Sequence, residues 1–122
     1  MTSSTIQGLK ELLANTYTLY LKTQNYHWNV TGSNFIMYHE LFEEQYTALA
    51  DAVDDIAERI RALKAHAPGT YSEFSKLGNV SEAKSGIDAK AMIQDLVHSH
   101  QQIHQQIMKL LQVAREADDE VT

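Results

Sequence analysis

Apolar residues recur every three or four positions along most of this chain, which is the spacing of one face of an α-helix. The pattern predicts three long amphipathic helices, over residues 4–29, 34–65 and 88–117. A shorter helix, over residues 71–77, fits the connection that follows Pro68, the only proline of the chain. We therefore predict an all-α fold.

Turn and capping residues lie where the predicted helices meet. Gly32 can take a positive φ in the turn after the first helix, and Asp88 is placed to cap the last one. With 122 residues, the chain is long enough for one domain, spanning residues 1–122. Three long amphipathic helices leave apolar surface uncovered, so we expect cover from another chain or from a last helix beyond a truncated end.

The composition narrows the chemistry. There is no cysteine, which excludes disulfides and thiolate metal sites, so any metal must be held by nitrogen and oxygen ligands. The net charge is −6, which argues against binding to nucleic acid. The sequence contains neither a long apolar run nor a secretory signal, and we expect a cytoplasmic protein with no membrane contact.

Four potential metal ligands share one stripe of the second predicted helix. His39, Glu43, Asp54 and Glu58 fall within an arc of about 100° when projected down the helix. Imidazole nitrogen and carboxylate oxygen together suit iron and related divalent ions. The stripe therefore predicts a metal site.

One copy of this helix cannot close such a site by itself. His39 and Asp54 lie roughly 22 Å apart along a helix, too far to bind the same ion. A second copy packed antiparallel across a two-fold axis would place the His39 end opposite the Glu58 end, giving two identical sites per dimer. His27, just before the turn, could fold back beside His39 and add a second imidazole.

Other interpretations of these residues remain open. Acidic pairs four residues apart are most often a solvated helix face. His100 and His104 are also four residues apart but lack an acidic neighbour at ligand spacing, which favours polar-face histidines. Four tyrosines have the spacing of core or interface residues, with radical quenching near iron as the alternative; they are Tyr17, Tyr20, Tyr38 and Tyr46.

Three sequence blocks carry a resemblance to a known family. They are HWNVTGSNF at residues 27–35, HELFEE at 39–44 and DDIAER at 54–59. From about Thr5 to Thr122, the chain resembles the Dps family, the DNA-binding proteins from starved cells. The resemblance implies a ferritin-like four-helix bundle with a short helix in the crossover between the second and third long helices. It also implies that this chain stops before the fourth long helix.

The resemblance further implies a function and a division of the ligands. His27, His39 and Glu43 would come from one subunit, and Asp54 and Glu58 from its two-fold mate. The family more often has aspartate where Glu43 stands. The implied protein is a homo-oligomer, a dodecamer of two-fold dimers. It would be a ferroxidase that oxidises Fe(II) with hydrogen peroxide and stores Fe(III), without an organic cofactor and with a protective role in oxidative stress.

Two alternatives to the ferroxidase stay open. One is a DNA-compacting protein of the same family, which the acidic composition disfavours. The other is a catalytically silent helical oligomer whose acidic stripe is only solvated surface. The choice between peroxide and oxygen as oxidant does not follow from the sequence.

Overall fold

The protein is described by a computed structural model covering residues 2–119, 121 and 122. It consists of α1 (Thr2–Asn29), α2 (Phe35–Ala62), α3 (Tyr71–Leu77) and α4 (Ala89–Glu116). These residues contain no strand, which confirms the all-α prediction. The absence of a last long helix from a truncated chain stays a prediction.

The predicted end of α2 at residue 65 is wrong, because the helix stops at Ala62. Lys64 takes the left-handed conformation, with φ 68°. Its N–H bonds the Arg61 carbonyl at 2.9 Å, and the Ala65 N–H bonds the Ile60 carbonyl at 3.2 Å. This pair of bonds is a Schellman motif, which usually has glycine where Lys64 stands. The helix therefore ends without help from Pro68.

The predictions for Gly32 and Asp88 are confirmed. Gly32 has a φ of 110°, in the region that favours glycine. The Asp88 carboxylate accepts a hydrogen bond from the Ala91 N–H at 2.9 Å and caps α4. At α3, Thr70 and Glu73 form a reciprocal capping box, which stabilises a helix of only seven residues.

The central element of the fold is α1, which packs against each of the other three helices. Its buried face meets Phe42 and Ile60 of α2 on one side and Leu110 of α4 on another. An ideal Cβ placed on Gly8 would lie 2.6 Å from Leu110 Cδ1, so the glycine permits close approach of α1 and α4. By contrast, α2 and α4 hardly touch each other.

The single apolar face predicted for α4 is only partly correct. Val97 and Ile107 belong to the apolar residues that recur along this helix, but they are 50% and 39% exposed. The buried side instead carries the polar residues Asp95 and Ser99 among its apolar ones. Because α1 covers only one side of α4, the apolar residues on its flank lack cover within the described part of the chain.

A buried polar cluster joins α1 to α4. The Lys22 ammonium lies 3.3 Å from Asp95 Oδ2 and donates to Ser99 Oγ at 2.7 Å. The Tyr26 hydroxyl donates to the same Asp95 oxygen at 2.5 Å. Burial lowers the pKa of Lys22 although Asp95 opposes that change. Burial, followed by the hydrogen bond to Asp95, raises the pKa of Tyr26 to about 12.

Candidate metal centre

Two histidines meet where α1 turns into α2. His27 lies in the last turn of α1, and His39 lies in the second turn of α2. The short connection containing Gly32 folds α2 back along α1, so the imidazole rings stack with centroids 3.7 Å apart. The predicted approach of His27 to His39 is therefore confirmed.

Each histidine is held by the backbone of the other. His27 Nδ1 lies 2.7 Å from the His39 carbonyl oxygen, and His39 Nδ1 lies 2.8 Å from the His27 carbonyl oxygen. A carbonyl only accepts, so both Nδ1 atoms carry the proton. In the neutral rings, each Nε2 then keeps its lone pair, which is the state a metal ligand requires.

Glu43 completes a group of three candidate ligands. It stands one turn after His39, and its Oε1 lies 3.8 Å from His27 Nε2. One ligand atom from each of His27, His39 and Glu43 lies within 4.8 Å of the other two. Ligands of one ion sit roughly 3–4 Å apart when bonds are about 2.0–2.2 Å long, so a small movement of the exposed Glu43 side chain closes the group. The chemistry of the three donors fits iron.

The remaining predicted ligands lie elsewhere on α2. Asp54 and Glu58 are exposed and do not belong to the group formed by His27, His39 and Glu43. Along the helix, Asp54 is roughly 16 Å beyond Glu43. A hydrogen bond with Asp54, together with its negative charge, raises the pKa of Glu58. The two carboxylates stand one turn apart on α2, and a cation would relieve their repulsion.

Aromatic rings surround the histidine pair. Phe35 stacks on His39 with centroids 5.0 Å apart, and Tyr46 presents its ring to His27 at 5.2 Å in a T-shaped contact. Trp28, next to His27, is 60% exposed. The histidines thus have an apolar wall, while Glu43 faces solvent.

A family model for the ferritin-like domain matches residues 6–122 of this chain. Over all 122 residues, the chain is 33% identical to DNA protection during starvation protein 2 of Bacillus anthracis, covering 84% of that protein. The chain belongs to the ferritin-like family, among its Dps members. This is the family that the sequence blocks at residues 27–35, 39–44 and 54–59 resemble.

Solved structures of Dps proteins share this backbone. The Dps protein from Bacillus brevis superposes with a TM-score of 0.96 at 32% identity, covering 98% of this chain and 80% of that one. The Dps protein from Vibrio cholerae O1 superposes with a TM-score of 0.94 at 34% identity, covering 98% of this chain and 75% of that one. The latter is described as one of the ferritin-like diiron-carboxylate proteins. Membership of the Dps group supports iron binding and a protective role in general terms.

The sequence did not predict two features of the candidate site. The first is the pair of bonds from the histidine rings to the opposing carbonyls, which depends on the angle between α1 and α2. The second is the contact of Tyr46 with His27. Tyr46 follows His39 by seven residues, two helical turns, and that spacing could have placed it on the same face.

Two further predictions concern the histidines of α4 and contact with a membrane. His100 and His104 are exposed and have no third potential ligand within the described residues, consistent with polar-face histidines. None of the four described helices is apolar over a stretch long enough to cross a bilayer.

Proposed function

We propose that this Dps chain is a ferroxidase that oxidises Fe(II) with hydrogen peroxide and retains the Fe(III) product. The group formed by His27, His39 and Glu43 carries the proposal. Two imidazole nitrogens and one carboxylate form the ligand set of many non-haem iron sites and leave coordination positions open for an oxidant. Because the Nδ1 protons are committed to carbonyls, both Nε2 atoms are available without rearrangement.

The second half of the proposed site comes from a two-fold partner. If two copies of α2 pack antiparallel, Asp54 and Glu58 of one subunit face His39 and Glu43 of the other. The two exposed carboxylates, one turn apart, support this arrangement, since an incoming cation would neutralise them. The shared site then has ligands for two iron ions.

The proposed reaction balances without a free radical. Two Fe(II) ions each give one electron, and one hydrogen peroxide takes both and becomes two hydroxide ions. The carboxylates of Glu43, Asp54 and Glu58 favour the more highly charged Fe(III) product. Removing iron and peroxide together would prevent the formation of hydroxyl radical.

This chemistry would also protect DNA without binding it. Several relatives are named for DNA protection during starvation. A chain with a net charge of −6 is repelled by phosphate, so we propose that any protection of DNA comes from removing iron and oxidant. We further propose that two-fold dimers assemble into a closed dodecamer, in which the Fe(III) is stored.

Complementation between two inactive chains tests the shared site. One chain carries His27→Ala and His39→Ala, and the other carries Asp54→Ala and Glu58→Ala. Each should fail to accelerate peroxide-driven Fe(II) oxidation by itself. In a mixed dimer, one site has both intact halves, so random pairing after co-expression should restore about a quarter of the wild-type sites.

The control mixes the histidine variant with a chain carrying all four substitutions, which contains no intact histidine half. It should show no recovery. If the active mixture also shows none while the wild type oxidises iron, the site is not shared between subunits. If the wild type itself is no faster than buffer, the catalytically silent oligomer is correct.

A further inference from the structure

Three tyrosines form a continuous aromatic path that begins at the histidine pair. The ring of Tyr46 lies 5.2 Å from that of His27, and the ring of Tyr20 lies 6.0 Å from that of Tyr46. Tyr17 follows, with its centroid 5.5 Å from Tyr20. All three tyrosine contacts along this path are edge or T-shaped.

The path leads away from the metal ligands along α1, toward α3. Tyr17 stacks on Phe74 of α3 at 5.0 Å. Tyr17 and Phe74 also line a cavity of about 410 Å³, and a fourth tyrosine, Tyr71, contributes to its wall. The path thus joins the candidate iron site to a second region of the protein through side chains that can each lose one electron.

Tyr38 also lies at this end of the bundle, but its ring is not on the path. Tyr38 precedes His39 directly, but its ring stacks on Phe42, with centroids 6.4 Å apart. Phenylalanine cannot form a phenoxyl radical, so Tyr38 has no such neighbour among its ring contacts. Tyr38 therefore provides a matched control for Tyr46.

We propose that Tyr46, Tyr20 and Tyr17 form a relay that removes single oxidising equivalents from the iron site. The proposal rests on the proposed ferroxidase function. When only one Fe(II) is bound, hydrogen peroxide takes one electron from it and yields Fe(III), hydroxide and hydroxyl radical. Tyr46 gives its phenolic hydrogen atom to that radical, forming water and a Tyr46 phenoxyl radical.

The relay then moves the radical outward. Tyr20 transfers an electron to the Tyr46 radical while its phenolic proton passes to solvent, and solvent returns a proton to Tyr46. The same exchange between Tyr17 and Tyr20 leaves the radical on Tyr17. His27, His39 and Trp28 are spared oxidation, because Tyr46, whose ring contacts His27, gives up the electron in their place.

An iron-free experiment tests the path by itself. The chain contains no cysteine, so Glu43→Cys creates a single attachment point for a ruthenium photo-oxidant at the site. A laser flash with an external electron acceptor generates the one-electron oxidant there. Transient absorbance should show a tyrosyl radical, and adding Tyr46→Phe should reduce its yield several-fold. Adding Tyr38→Phe should leave the yield unchanged.

A second experiment, with iron present, tests whether the tyrosine path is used during iron oxidation. The assembled protein receives less than one Fe(II) per site and an excess of peroxide, and freeze-quenched samples are measured by electron paramagnetic resonance. Ring-deuterated tyrosine should narrow the signal, which assigns it to tyrosine rather than to Trp28. In Tyr46→Phe the tyrosyl signal should fall several-fold, and mass spectrometry should find more oxidation at His27, His39 and Trp28. In Tyr20→Phe the radical should remain on Tyr46.

The outcomes distinguish a failure of the proposed relay from a failure of the proposed ferroxidase function. A flash-induced yield that is equal in the Tyr46→Phe and Tyr38→Phe backgrounds overturns the relay. So does a freeze-quenched radical that tyrosine deuteration leaves unchanged in a protein that oxidises iron normally. Loss of iron oxidation in the wild type, with the flash-induced path intact, instead contradicts the proposed function.

Discussion

His27 and His39 each direct Nδ1 at the backbone carbonyl of the other, at 2.7 and 2.8 Å. The two bonds and the ring stack hold the end of α1 against the start of α2. The same contacts occupy both Nδ1 atoms, and His27 Nε2 lies 3.8 Å from Glu43 Oε1. One set of interactions therefore stabilises the helix junction and prepares two ligands.

These two roles of His39 can be separated by substitution. His39→Asn keeps an amide donor close to the position of Nδ1 but lacks Nε2, whereas His39→Phe keeps only the stacking. We expect His39→Phe to lower the free energy of unfolding by about 1–3 kcal/mol, because the His27 carbonyl loses its donor. His39→Asn should retain most of that stability, and both variants should lose iron binding.

Urea unfolding and anaerobic Fe(II) titration measure the two effects. His66→Ala, at an exposed position outside the helices, serves as the control for loss of a histidine. If His39→Phe unfolds at the same urea concentration as the wild type, the carbonyl bonds contribute nothing to the junction.

Glu43 differs from the aspartate that is more common in the Dps family. Glu43→Asp keeps the carboxylate and should preserve peroxide-driven iron oxidation with a changed affinity for Fe(II). Glu43→Gln keeps the size but removes the charge, and we expect affinity to fall by roughly 10–100-fold, the usual cost of disturbing a metal site. Calorimetric titration with Fe(II) under anaerobic conditions measures both. Equal affinity in Glu43→Gln and the wild type would remove Glu43 from the ligand set.

Tyr26 makes stability depend on alkaline pH. Its pKa is raised to about 12 in the folded protein, against about 10 in the unfolded chain. Between these values the unfolded chain has released the proton that the folded protein keeps, so stability is complete below pH 10 and falls as pH rises. The slope due to this group is at most about 1.4 kcal/mol per pH unit.

Comparison with Tyr26→Phe isolates that slope. The difference in unfolding free energy between wild type and Tyr26→Phe should shrink from pH 10 to pH 12. Taking the difference removes the contributions of residues that titrate alike in both proteins. Tyr71→Phe changes an exposed tyrosine and should follow the wild type throughout. A difference that stays constant with pH would mean that Tyr26 does not keep its proton in the fold.

Direct DNA binding should be absent at physiological salt. The chain has 10 basic and 16 acidic residues, so binding to a polyanion would gain little from counterion release. A gel-shift assay with duplex DNA should show no retention, and lowering the salt should change little. Retention that weakens steeply with salt would favour the DNA-compacting alternative.

The sequence predicted elements whose signal is local. Helical periodicity located the three long helices, and the connection after Pro68 had room for the short one. Asp88 and Gly32 behave as their residue types predict. The end of α2 was misplaced because Lys64 adopts a conformation that its residue type does not favour. A pattern of residue types carries no information about such an exception.

Contacts between helices were harder to predict from the sequence. The approach of His27 to His39 followed from a short turn, but the carbonyl bonds required the relative rotation of two helices. The exposure of Val97 and Ile107 reflects which helices lie against α4, and periodicity identifies an apolar face without naming its neighbour. The pairing of Asp54 and Glu58 with another subunit remains a prediction for the same reason.

The central position of α1 has a consequence for biosynthesis. This helix precedes the other three in the chain, so it leaves the ribosome first. Each later helix then emerges next to a docking surface that has already been translated. Assembly of the bundle can follow the order of translation, with His39 arriving at His27 only a dozen residues later.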